Sequence, residues 1–335
     1  MGSEKIQEIL TGEPAYRKKQ VYKLIFDELI EDWGKATILP KTLRAQLTKK
    51  VPLAINALPF ASVDNRTIKT LVTLDDGLKI ETVLMQYKNR NSVCVSSQVG
   101  CALGCSFCAT GKIGFKRNLT AGEIIDQVVY FSRQLKHQRQ RVNSIVFMGM
   151  GEPFLTYDNV LEAIKIINDK DGFHIGARHI SISTAGIPEG INQFANESLD
   201  VNLALSLHAA DNELRSELMP INRKYPLAQV MDAIKNYLKT KNRKVMIEYI
   251  MIGNVNDSNK HAKNVAKLLH DFRHLYHVNL IQYNPTGTFE PSTHERMQEF
   301  VQVLKEYGIS SSERFRFGRD INASCGQLAL KNKDN

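Results

Sequence analysis

The chain has 335 residues, 43% of them hydrophobic, and carries 44 Lys and Arg against 35 Asp and Glu for a formal net charge of +9. Such a length and composition fit a globular protein with one large core and a small extra unit, and exclude a collagen-like or low-complexity chain. No apolar run approaches the roughly eighteen residues that a membrane span requires. The first residues show neither an apolar leader nor a myristoylation pattern, because Ile6 stands where Ser or Thr is needed. A cytoplasmic protein with reduced thiols is expected.

Residues 1–65 are predicted to be helical. Over 15–29, Val21, Ile25 and Leu29 recur at a spacing of four beside Leu24, which makes one apolar face. Leu39-Pro40-Lys41 interrupts the pattern and a short helix follows from Thr42. Runs 68–74 and 78–87 are rich in β-formers and meet at Asp75-Asp76-Gly77, a hairpin turn. Glu81 lies inside the second run, where an acidic residue is ordinarily solvent-facing.

From residue 92 the pattern alternates. Strands are predicted at 92–97, 144–148, 178–183, 201–206, 245–251 and 278–282, and helices at 120–137, 156–169, 188–196, 227–240, 259–273 and 292–307. Parallel returns need crossovers, so six βα units in series predict an α/β fold with a parallel sheet and helices outside it. Nearly continuous apolar strands such as Val201-Asn-Leu-Ala-Leu-Ser agree with a sheet covered on both faces. A doubly wound open sheet and a barrel predict much the same pattern. Four segments are expected: a helical accessory domain (1–65), a hairpin linker (66–91), the main domain (92–330) and a tail (331–335).

Four of the five cysteines, Cys94, Cys101, Cys105 and Cys108, fall within fifteen residues, and Cys325 stands near the far end in Ala-Ser-Cys-Gly-Gln-Leu. Three thiols spaced C-x3-C-x2-C can converge on one object. Iron–sulfur clusters usually take four cysteines, so a set of three leaves one iron open to another ligand. Structural zinc would want a fourth Cys or His from a second pair, which the sequence lacks. Buried thiols acting as small apolar residues are the plainest alternative.

Polar residues also recur where predicted strands end, in Met148-Gly-Met-Gly151-Glu152, Ser183-Thr184, Ser206-Leu207-His208 and Asn284-Pro285. Each taken singly marks an ordinary βα turn. In a barrel they would share one mouth with the cysteines, because ligands sit at the C-terminal ends of the strands. Basic residues cluster at 17–23, 112–117, 133–141 and 314–319, which favours a polyanionic partner.

The three spaced cysteines, with Phe107 before the last, resemble the radical S-adenosylmethionine (SAM) enzymes. With Cys94 and the Cys325-Gly-Gln-Leu motif added, the chain from about Tyr16 to about Leu328 resembles the RlmN/Cfr family of RNA adenine methyltransferases. That resemblance implies a partial (β/α)6 barrel behind an N-terminal helical domain that helps to grip RNA. It implies one 4Fe–4S cluster on Cys101, Cys105 and Cys108, with SAM on the fourth iron and contacts from Gly151, Glu152, Ser183, Ser206, Leu207, His208 and Asn284. Cys325 would carry a methyl group as S-methylcysteine. Cys94 would remove a proton and resolve the adduct, leaving a transient disulfide with Cys325, and Glu81 would be a proton acceptor. Two SAM molecules would be used per turnover, the second as the source of the radical that activates the S-methyl group.

The implied substrate is an adenosine in the peptidyl-transferase region of 23S rRNA, with a tRNA anticodon-loop adenosine as a second. The target base must leave its stack to be reached. A flavodoxin-like electron donor, a thiol reductant and a monomeric state are also implied. Glu152-Pro153, Gly114-Phe115, Asn118-Leu-Thr-Ala-Gly-Glu123 and Ile247-Glu248-Tyr249 resemble the branch that methylates adenine C2. The segment from Leu275 to Thr286 and Phe317-Gly318 resemble the C8 branch linked to antibiotic resistance. Asn322 and Ser324 stand where family members often carry Asp and Ala. C2 is the favoured expectation and C8 the alternative; a different radical SAM reaction and a zinc-stabilised RNA-binding protein are more remote.

Overall fold

The structure, a computed structural model, describes residues 3–330, so the expected tail 331–335 lies outside the described residues. Three helices come first: α1 (Ser3–Leu10), α2 (Ala15–Phe26) and α3 (Lys41–Lys50). Pro14 and Pro40 stand immediately before α2 and α3, where a missing N–H breaks no helical hydrogen bond. The unit closes over buried Trp33, whose indole N–H donates to the Val51 carbonyl at 2.7 Å.

The helical expectation fails before residue 65. Asn56–Ala61 is a strand, β1, at the edge of the sheet, where Pro59 costs no ladder bond and side chains stay largely exposed. β1 pairs antiparallel with β2 (Thr67–Thr73), β2 with β3 (Lys79–Tyr87), and β3 with β4 (Arg90–Cys94). This ribbon is not separate from the main sheet, because β4 also begins the parallel part.

The chain then runs through β5 (Gln98–Val99), α4 (Ala109–Ile113), β6 (Arg117–Asn118), α5 (Ala121–His137), β7 (Ser144–Phe147), α6 (Tyr157–Asn168), β8 (Ile180–Thr184) and α7 (Pro188–Ala195). It continues with β9 (Asn202–Ser206), α8 (Asn212–Leu218), α9 (Leu227–Lys241), β10 (Val245–Met251), α10 (Asn259–Leu268), β11 (Tyr276–Gln282), α11 (His294–Glu306) and β12 (Ser310–Glu313). The ten-stranded sheet has the order β1-β2-β3-β4-β7-β8-β9-β10-β11-β12, parallel from β4 to β12. The six expected strands are there, in chain order.

The seventh parallel strand, β12, was not expected. Ser-Ser-Ser-Glu has no apolar signal, since β12 is an edge strand with mostly exposed residues. It matters because its end delivers Arg314, whose backbone N–H donates to the Leu280 carbonyl at 2.9 Å.

Two members of the basic run 133–141 turn inward. Arg133 donates to the carbonyls of Leu53 at 2.8 Å and Ile30 at 2.5 Å, and Lys136 donates to that of Glu28 at 2.7 Å, tying α5 to the helical unit. Those cations satisfy carbonyl groups at the ends of chain segments. No helix among the described residues is long and apolar enough to cross a membrane.

Candidate active site

The cysteine loop leaves β4 and is shaped by backbone constraints. Gly100 has φ of 74°, and a Cβ there would lie 1.7 Å from the Gly114 carbonyl oxygen. That same oxygen accepts the Cys101 N–H at 3.2 Å, so the close approach folds the loop back on itself. Downstream, Thr120 and Glu123 form a capping box at the start of α5. Arg117 bridges Glu123 at 2.8 Å and Asp76 at 2.7 Å, pinning the β2–β3 turn to the far side of the loop.

Cys101, Cys105 and Cys108 line one cavity together with Leu103, Phe107, Gly151, Glu152, Ser183, Ser206, His208 and Cys325. Burial pushes the Cys101 thiol up to about 12 and the Cys105 thiol further still. Such thiols ionise only if a strong positive charge meets them. Among the described residues, no three His, Cys, Asp or Glu side chains form a site for a single metal ion.

Of the residues at the strand ends, Gly151, Glu152, Ser183, Ser206 and His208 line this cavity, while Asn284 lines an adjoining one and Leu207 lines neither. Glu152 is buried; it accepts the Ala185 N–H at 2.7 Å and the Phe154 N–H at 3.1 Å. Burial outweighs these bonds and raises its carboxyl to about 7. The Ser183 and Ser206 hydroxyls lie 3.2 Å apart. Asn284 donates to the Cys325 carbonyl at 3.1 Å, leaving its own Oδ1 buried without a partner. Leu207 does not line the cavity: its side chain is in the core, its N–H donates to Glu248 O at 3.0 Å and its carbonyl accepts Arg215 Nε at 3.1 Å.

His208 is held in the left-handed region at φ 57°. Its Nδ1 accepts the Ile250 N–H at 3.1 Å, so the proton sits on Nε2. Burial, reinforced by Arg215, pushes its pKa down to about 3, so it stays neutral at ordinary pH. The resemblance implies a SAM contact at Gly151. The structure gives a packing reason for glycine there, since a Cβ would lie 2.5 Å from that of Gln98.

Cys94 lines an adjoining cavity with Val83, Met85, Tyr87, Phe315 and Phe317. Cys108, Arg314 and Cys325 line both cavities. Cys325 is exposed, and Cys94 and Cys325 are free thiols rather than a disulfide. Burial pushes the Cys94 thiol up to about 12, Cys325 adds to this, and Arg314 opposes it. Ser324 donates to the Phe317 carbonyl at 2.6 Å, so its hydroxyl serves the loop that carries Cys325.

Glu81 is placed elsewhere. It is 1% exposed, paired to Lys69 at 3.0 Å, and lines neither cysteine cavity.

Two arginines at the site escaped sequence reasoning. Arg314, noted only as part of a basic cluster, pairs with Glu248 at 3.0 Å. Burial works against its charge, but Glu248 and the two thiols raise its pKa above the ordinary value. Arg215 is fully buried and donates to Ala185 O at 2.6 Å and to Asn222 Oδ1 at 2.8 Å. Asn222 thus helps to hold a cation beneath the strand ends.

The comparisons agree with this geometry. Residues 95–269 match the family model described as the Radical SAM superfamily. A chain from Dictyoglomus thermophilum, named "Probable dual-specificity RNA methyltransferase RlmN", is 42% identical over 329 residues, 97% of this chain and 94% of that one. A chain of the same name from Chloroflexus aurantiacus is 43% identical over 95% of this chain and 88% of its own length. This chain belongs to the RlmN family of radical SAM methyltransferases. The crystal structure titled as a radical SAM methyltransferase from Sphaerobacter thermophilus superposes with a TM-score of 0.93 at 43% identity, covering 97% of this chain and 96% of that one.

Radical SAM enzymes use a 4Fe–4S cluster and SAM, and the residues present here fit both. Three soft thiols on one loop face a common cavity. The buried carboxyl group of Glu152 lines the same cavity, and the partnerless Asn284 Oδ1 lines the adjoining one that Cys325 shares. As a member of the RlmN family, the chain is read as an enzyme with the α/β radical SAM fold.

Proposed function

We propose that the chain methylates adenine C2 in RNA, with Cys325 carrying the methyl group between two sites. The observation that carries this reading is that Cys325 lines both the cavity of the three spaced cysteines and the cavity of Cys94. Cys101, Cys105 and Cys108 would hold the cluster. Gly151, Glu152, Ser183, Ser206, His208 and Asn284 would receive SAM, with Glu152 meeting its ammonium group, and Leu207 would act only through the backbone of its segment. When bound, the cluster with SAM supplies a radical that abstracts hydrogen from a carbon.

The chain's own residues do the rest. Cys325 takes the methyl group by displacement as a thiolate and presents it to the base. Cys94, with Arg314 favouring its ionised form, removes the proton from the carbon under attack. It then bonds to the Cys325 sulfur as the methylated base leaves, with the one surplus electron passing to a one-electron acceptor, which the oxidised form of the cluster would supply. A thiol reductant reopens that disulfide. Two SAM molecules are used, one for the methyl group and one for the radical.

Several features support RNA as substrate. A groove lined by Arg66, Lys88, Arg90, Arg139 and Arg141 has no carboxylate in its lining. Tyr87 lines both this groove and the Cys94 cavity. Its ring packs on Phe317 at 4.6 Å, Phe317 packs on exposed Phe315 at 4.8 Å, and Arg90 lies 4.2 Å over Tyr87. Cations for phosphates next to aromatic faces for bases suit an unpaired strand. The N-terminal helices would extend that grip.

The relatives' name, dual-specificity RNA methyltransferase, supports more than one RNA target; we take these to be 23S rRNA and tRNA, with C2 favoured over C8. The enzyme would work as a cytoplasmic monomer with a flavodoxin-like electron donor. Mass spectrometry of 23S rRNA and tRNA from cells with and without the gene tests this: 2-methyladenosine should vanish with the gene. Loss of 8-methyladenosine instead, or no change, contradicts it.

A further inference from the structure

Glu81 lies on β3, outside both cavities, and each of its carboxylate oxygens is engaged within the protein. Oε1 pairs with Lys69, itself buried, at 3.0 Å. Oε2 accepts the backbone N–H groups of Ala329 at 2.8 Å and Leu330 at 3.2 Å, four and five residues beyond Cys325. The backbone of Glu81 is tied to the site as well. Its carbonyl accepts the Ser96 hydroxyl at 2.6 Å, and its N–H donates to Met150 Sδ at 3.3 Å. Ser96 is two residues from Cys94, and Met150 lies between Gly149 and Gly151.

We propose that Glu81 is a positioning residue that latches the backbone beyond Cys325 and so fixes that thiol between its two cavities. This rests on the reading that Cys325 carries the methyl group. The latch replaces the proton-acceptor role, because the Glu81 carboxylate faces neither of the cavities in which Cys325 would meet the base.

The latch acts with three other ties. Gly326 O accepts the Ala109 N–H at 2.7 Å, Leu328 O accepts the Thr110 hydroxyl at 2.7 Å, and Asn284 holds Cys325 O. Two of these come from α4, directly after Cys108, so the segment is clamped between the cysteine loop and β3. Cys325 is exposed and stands on a segment without regular strand or helix, where side-chain placement depends on such anchors. A buried carboxylate accepting backbone N–H groups makes strong bonds. The Lys69 charge offsets the cost of burying it.

The test uses the full-length, cluster-loaded enzyme with SAM, reductant and unmodified 23S rRNA transcript. Three readouts are taken: S-methyl occupancy of Cys325, hydrogen exchange of the 323–330 peptide, and product formation. Glu81→Leu with Lys69→Met removes the latch without leaving a buried charge. It should raise exchange in 323–330 and lower Cys325 methylation about tenfold or more, at unchanged iron content.

Glu81→Gln with Lys69→Met keeps an oxygen for the two N–H groups but cannot act as a base. It should retain most of the methylation and product formation, and this variant decides the matter if the first fails to fold. Accumulation of S-methylated Cys325 or of an RNA adduct in the Gln variant, with normal exchange, would overturn the latch in favour of proton transfer. Failure of the underlying reading is distinguishable, because Cys325→Ala would then still give product in the same assay.

Discussion

Arg314 is ion-paired to Glu248 at 3.0 Å, and this pair sets a cation beside both Cys94 and Cys325. Burial and the neighbouring Cys325 raise the Cys94 thiol, and Arg314 draws it back toward ionisation. Removing that charge moves the Cys94 pKa further up, so the thiolate fraction at neutral pH falls. Arg314→Met would leave Glu248 buried without its cation, at a cost of about 3–5 kcal/mol. The informative variant is therefore Arg314→Met with Glu248→Gln. Its turnover should fall about tenfold or more at pH 7.5 and recover in part as pH rises, because higher pH restores the thiolate. A flat ratio to wild type across pH would show that Arg314 does not act on a thiol.

Gly100 sets the cysteine loop. A methyl group there meets the Gly114 carbonyl at 1.7 Å, backbone that cannot yield without moving Cys101. Gly100→Ala should leave the thermal transition of the rest of the fold in place while iron per chain after anaerobic reconstitution falls to less than about half, since strain is confined to the loop. Full iron loading would show that the loop shape is not required.

Much of this site was legible in the sequence, and the reasons it was not fully legible are physical. The order of βα units showed through because both faces of the parallel strands are buried, which writes apolar runs between turn residues. β12 did not show through, because an edge strand needs no such run. The cysteines were readable because spacing on one loop is local. The contact from Glu81 to Ala329 spans 248 positions, and nothing local marks a strand glutamate as turned inward. Nor does a sequence say which arginine of Arg314-Phe-Arg-Phe-Gly-Arg319 pairs with Glu248. Arg133 and Lys136 carry the same ambiguity, since a basic run looks alike whether it caps carbonyls or faces solvent.

The basic groove makes a separate prediction about RNA. Arg139 and Arg141 are exposed and form no ion pair among the described residues. Arg139→Glu with Arg141→Glu should raise KM for 23S rRNA transcript about tenfold or more, with kcat changed far less, and should flatten the salt dependence of binding. The same reversal on α10, at Lys260 and Lys263, should leave KM within about twofold, since neither lysine lines that groove and charge beyond a Debye length is screened. Equal effects at both places would point to net charge rather than to a groove.

The central claim is that Cys94 and Cys325 work as a pair on the RNA, and Cys94→Ala tests it most directly. The variant should still accept a methyl group on Cys325 and still attach it to the base, but it lacks the thiol that removes the proton and frees the product. Denaturing electrophoresis and mass spectrometry of the reaction should show RNA covalently linked through Cys325 and little free methylated RNA. Release of methylated RNA at the wild-type rate, with no linked species, would contradict the account.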